Sequence, residues 1–62
     1  MNKEEVVTEL FKDFDLGLYA DLFGWWFVSD SKCILYSPSF RDISGVHEWM
    51  FNHREFIRKE LS

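Results

Sequence analysis

A chain of 62 residues with a single cysteine must find its stability in packing, and this one carries seven phenylalanines, three tryptophans and two tyrosines. At this length folding removes only about 60% of the unfolded surface from water. The hydrophobic gain then roughly balances the entropy of ordering the chain. Cys33 has no partner within the chain for a disulfide. Aromatic side chains, each burying about 150–250 Å² when enclosed, and self-association are the remaining sources of stability. The length fits one small globular domain, residues 1–62.

Helical period dominates the first segment. Asn2 followed by Glu5 resembles a capping box, and Val6, Val7, Leu10, Phe11 and Phe14 recur at steps of three and four. The spacing predicts a helix over 3–14, broken at Asp15-Leu16-Gly17 and followed by a short helical turn over 18–23. Trp25–Val28 and Cys33–Tyr36 are rich in aromatic and branched residues and flank a polar stretch, Ser29–Lys32. They read as a β-hairpin with apolar side chains on both faces, so both faces need covering. Pro38 ends the second strand, and Phe40–Ile43 forms at most one turn. A final helix over 46–61 carries Val46, Trp49, Met50, His53, Phe56, Ile57 and Leu61 on one face. The predicted fold is α+β, a small α–β–β–α domain with the hairpin packed against an N-terminal and a C-terminal helix.

The charge is divided along the chain. Residues 1–30 hold seven acids and two bases, and residues 31–62 hold four acids and five bases, giving −5 and +1 and a net −4. The acidic balance opposes general nucleic-acid binding. The longest apolar run, Leu16–Val28, is interrupted by Asp21 and falls short of a membrane span. The opening Met1-Asn2-Lys3 has no basic and apolar leader, so the reading is a complete cytoplasmic chain.

Candidate partner-binding residues fall in two groups. Trp25 and Trp26 lie on opposite faces of the predicted strand, one for the core and the other either covered by a helix or left exposed as an interface anchor. His47, Phe51, Arg54 and Arg58 follow helical spacing along a stripe beside the apolar face of the last helix. An aromatic among arginines suits an acidic partner, a phosphate or a nucleobase, and also suits the solvated margin of a core. Glu5, Glu9 and Asp13 line the outer face of helix 1, where spaced carboxylates either meet solvent or imitate a phosphate backbone.

Catalytic and metal chemistry find little support. His47 and His53 are six apart and do not converge on one helix face. His53 is expected in the core with one hydrogen-bond partner, and Cys33 as a small buried hydrophobe in mid-strand. The residues imply no enzyme, no cofactor and no metal. They favour a protein–protein interaction module, expected to be a homodimer, to bind a host protein, or both. Compact acidic domains without motifs are often encoded by phages or mobile elements as inhibitors of host machinery, and that role is the expectation from composition, not from particular residues. The alternative is a nucleic-acid-binding regulator using the His47, Phe51, Arg54 and Arg58 face.

Overall fold

The computed structural model describes residues 2–62. The element order is α1 (Lys3–Asp13), β1 (Leu16–Ala20), β2 (Trp26–Asp30), α2 (Ile43–Asn52) and α3 (Arg54–Leu61). The architecture is α+β, an antiparallel hairpin packed against N-terminal and C-terminal helices. Among the described residues no helix is long and apolar enough to cross a membrane.

Helix α1 begins where the Asn2 side chain accepts a hydrogen bond from the Glu5 amide at 2.9 Å. Glu4 and Glu5 sit in its first turn and Lys12 in its last, each suited to the helix dipole. The helix stops because Phe14 turns extended while its N–H still reaches the Leu10 carbonyl. Val6, Val7 and Leu10 are buried. They meet Val28, Leu35, Val46, Met50 and Ile57 in one core. Leu16, Leu18 and Trp26 close it from the strands, and Phe40, Trp49 and Phe51 from the C-terminal half.

The hairpin is assembled from different segments than the sequence suggests. Leu16–Ala20, expected as a helix break and a helical turn, is strand β1, and it pairs with Trp26–Asp30 in the register Leu16↔Asp30 to Ala20↔Trp26. The residues alternate, Leu16 and Leu18 to the core and Gly17 and Tyr19 outward. Five residues of alternation with a glycine inside make a weak strand signal, but pairing to an aromatic strand supplies what propensity lacks.

Cys33–Tyr36, expected as the second strand, forms no regular ladder. Asp30 takes its first residues into a loop: Oδ2 accepts from the Lys32 amide at 3.1 Å and Oδ1 from the Leu35 amide at 2.7 Å. Cys33, expected in a buried strand, is exposed in this loop at φ 56°. The chain then runs back along the far edge of β2, with bridges Ser29↔Tyr36 and Trp26↔Phe40. Ser37 N–H donates to the Val28 carbonyl at 3.0 Å and Ser37 Oγ accepts from the Val28 amide at 2.8 Å. Pro38 falls between these anchor points, where no ladder bond is needed.

The expected single helix over 46–61 is two. Asp42 caps α2, its Oδ1 accepting from the Gly45 amide at 3.0 Å and from Ser44 Oγ at 2.6 Å. The break lies at His53, at φ −112° and ψ 20°. His53 is exposed there rather than in the core. Its Nδ1 donates to the Trp49 carbonyl at 2.8 Å, and its ring stacks on Trp49 at 4.6 Å. Side-chain capture of the carbonyl four residues back bends helices. Arg54 Nη1 donates to the Phe51 carbonyl at 2.7 Å.

Candidate interaction surface on the hairpin

The helices cover one face of the hairpin. On the other, Tyr19 and Phe27 are a directly opposed cross-strand pair with ring centroids 5.6 Å apart. Tyr36, brought alongside by its bridge to Ser29, stacks on Phe27 at 5.2 Å and 18°. The three rings form a continuous slab. Tyr19 is 46% exposed and Tyr36 61%. Gly17 makes the slab possible, because a Cβ there would lie 2.5 Å from Tyr19 Oη. The tyrosine ring folds back over the bare backbone of the glycine two residues earlier.

The slab leads to the β1–β2 turn, whose chemistry is specific. Gly24 N–H donates to the Asp21 carbonyl at 3.1 Å, and Asp21 N–H to the Trp25 carbonyl at 2.9 Å. Gly24 has φ +81°. This is a three-residue hairpin loop, a turn followed by a left-handed glycine. The Asp21 carboxylate fastens it by accepting from the Phe23 amide at 2.8 Å and the Trp25 amide at 3.0 Å. The turn holds its apolar side chains outward: Leu22 is 101% exposed and Phe23 86%.

The residues singled out from the sequence are distributed across the fold. Trp25 is the outer tryptophan, 36% exposed at the base of this turn, with the Arg41 guanidinium 5.2 Å from its ring centroid. Trp26 is half-buried at the start of β2 and packs against the core. Phe51 is half-buried against the core from α2, and Arg54 lies over its ring at 4.5 Å. Arg58 reaches across to α1 and pairs with Glu9 at 3.6 Å and Asp13 at 3.5 Å. His47 is half-buried on α2. Phe51, Arg54 and Arg58 do come together, with Val6 and Glu55, around one shallow recess. There the arginines already hold a carbonyl, a ring and two carboxylates of the chain itself.

Sequence reasoning overlooked Tyr19, Leu22, Phe23, Phe27 and Tyr36 as surface residues. A usable signal lay in Asp21 and Gly24, the first and fourth positions of a turn.

Beside the slab, Asp30 is nearly enclosed. Burial alone would raise its carboxyl, but the amides of Leu35 and Lys32 and others in the loop outweigh burial and hold it below the ordinary carboxylate range. It therefore stays ionised at neutral pH and keeps the loop carrying Cys33 and Tyr36 against β2.

Comparison with known protein families, curated proteins and solved structures returns no match.

Proposed function

We propose that this protein is a protein–protein interaction module whose recognition element is the hairpin, with Leu22 and Phe23 as anchors and the Tyr19, Phe27 and Tyr36 slab beside them. The observation that carries the reading is the exposure of two large apolar side chains, Leu22 fully and Phe23 almost so, on a turn fastened by Asp21. Burying a leucine or phenylalanine side chain is worth about 1.5–3 kcal/mol each. The fold gives up that gain at both positions while four backbone amides, those of Asp21, Phe23, Gly24 and Trp25, hold the turn in place. A rigid turn also limits the ordering entropy that binding would otherwise cost.

The compact, net acidic chain extends this reading to an inhibitor or regulator of a host protein in the cytoplasm, as phages and mobile elements encode. A homodimer built on the same surface would bury it equally. The protein reading is preferred to nucleic-acid binding because Arg54 and Arg58 are engaged within the chain.

The test is affinity capture from a nuclease-treated lysate of the source or host, run beside the variant Leu22→Ser/Phe23→Ser, with molar mass in solution measured for both. Both side chains are free of the core, so the variant should melt at the wild-type temperature. Loss of a stoichiometric partner, or of a dimer, in the variant supports the reading. Undiminished capture by the folded variant refutes it.

A further inference from the structure

We propose that the outer edge of β1 accepts an added antiparallel strand from the partner protein, a segment that carries basic residues six positions apart. This deepens the protein-binding reading and rests on it. The alternation of an antiparallel ladder decides which backbone groups are free. Along β2, Trp26, Val28 and Asp30 turn their amides toward the 35–40 segment: Trp26 N–H donates to the Phe40 carbonyl, Phe40 N–H to the Trp26 carbonyl, and Asp30 N–H to the Leu35 carbonyl. Phe27 and Ser29 therefore bond to their register partners Tyr19 and Gly17. The backbone N–H and C=O groups of the remaining β1 residues, Leu16, Leu18 and Ala20, therefore point away from β2. Leu16 N–H returns to the Phe14 carbonyl. Among the described residues, nothing outside the hairpin bonds to the N–H or C=O of Leu18 or Ala20, or to the Leu16 carbonyl.

Natural sheets usually blunt such an edge with lysine, proline, a bulge or a covering segment. The far edge of β2 is treated in this way, covered by the 35–40 segment with Pro38. The five residues Leu16-Gly17-Leu18-Tyr19-Ala20 contain neither charge nor proline.

Charge at the ends selects the occupant. Asp15 and Asp21 flank the strand, both exposed. The recess at the Asp15 end is lined by Asp15, Asp30 and Glu60 against the single base Lys32. At the other end Arg41 lies over Trp25, on the β2 side of the turn. A second copy paired symmetrically about Leu18 would set Asp15 against Asp21 of that copy at both ends. Like charges directly opposed across strands destabilise the pair. A strand with lysine or arginine six residues apart meets the Asp15 carboxylate and the Asp21 Oδ2, the oxygen not used by the turn amides that Oδ1 accepts, and its residues facing Gly17 and Tyr19 extend the aromatic slab.

The experiment titrates the labelled full chain with the peptide acetyl-Lys-Thr-Tyr-Val-Tyr-Thr-Lys-amide and follows the Leu18 and Ala20 amides by NMR. Three companions are used: one with both lysines replaced by glutamate, one N-methylated on the central valine and one N-methylated on a tyrosine. The valine amide faces Leu18 in this register, and the tyrosine amides face away. Expected are shifts and slowed hydrogen exchange at Leu18 and Ala20, with about tenfold weaker binding for the glutamate peptide. Methylation of the valine weakens binding at least about tenfold, and methylation of the tyrosine leaves it nearly intact. No response at these amides up to about 1 mM peptide, or equal binding by both methylated isomers, overturns the proposal. Leu18 and Ala20 protection that grows with protein concentration alone also overturns it and assigns the edge to a second copy. Because Leu22→Ser/Phe23→Ser leaves β1 untouched, peptide binding retained by that variant separates failure of the turn as anchor from failure of the edge.

Discussion

Gly17→Ala tests whether the outer face of the hairpin is organised as described. Gly17 sits in strand β1 without a positive φ, so alanine there should stabilise by restricting the unfolded chain, by about 0.5–1 kcal/mol. The new methyl would meet the Tyr19 ring at 2.5–2.9 Å. The ring is the far end of a side chain, so it swings away and abandons its stack on Phe27. Such stacks are worth about 0.5–1.5 kcal/mol. The two effects nearly cancel, and Gly17→Ala alone should change stability by no more than a gain of about 0.5 or a loss of about 1 kcal/mol. In a Tyr19→Ala background only the gain remains, and the same substitution should stabilise by about 0.5–1 kcal/mol. The coupling expected from the four-protein cycle is therefore about 0.5–1.5 kcal/mol. Urea unfolding measures it, since a slope near about 1 kcal/mol/M turns the coupling into a midpoint difference of roughly 0.5–1.5 M. Equal stabilisation in both backgrounds, within about 0.3 kcal/mol, would show that Tyr19 does not lie over Gly17 and that the slab is not formed.

Gly24→Ala places a side chain at φ +81° in open space, so only backbone strain acts, and thermal unfolding should fall by about 1 kcal/mol in stability. Asp30 and Asp42 both titrate below the ordinary carboxylate range in the folded state. Asp30 is held there by the loop amides against the effect of burial, and Asp42 chiefly by Ser44 Oγ and then the Gly45 amide. Their stabilising contribution is complete above the unfolded value near about pH 4 and is lost as pH falls through the lower folded values. Urea midpoints from pH 7 to 2 should therefore drop below roughly pH 4, less steeply in Asp30→Asn. Arg58→Ala breaks two half-exposed ion pairs to α1 and should cost no more than about 1 kcal/mol in low salt. That loss should largely disappear in about 1 M salt.

The fold class, the extent of α1 and an apolar face on the C-terminal half were all legible, because helical period survives even in so short a chain. Strand identity was less so. Trp25–Val28 sits between two weaker candidates, and apolar richness favoured Cys33–Tyr36 over Leu16–Ala20. The decision is made by groups that composition does not weigh. Asp21 and Gly24 close a tight loop to the N-terminal side, and Asp30 captures the amides that would have begun the strand on the C-terminal side. Even so, the 35–40 segment borders β2, so the expected neighbour is present without its ladder. The helix break at His53 was hidden because its spacing fits the apolar face. Only the ring's reach to the Trp49 carbonyl reveals it. Of the residues first marked for partner binding, Trp25 lies at the turn. Arg54 and Arg58 are held by partners from Phe51 and α1, a tertiary outcome that helical spacing does not contain.

Photo-crosslinking tests the hairpin reading most directly, with p-benzoylphenylalanine placed at Phe23 in one protein and at Phe56 of α3, also exposed, in another. Recognition through the hairpin predicts one discrete crosslinked species from position 23 and none from position 56, after irradiation in a nuclease-treated lysate of the source or host. Crosslinking from position 56 with none from position 23 would contradict it and move the interface to the C-terminal helices.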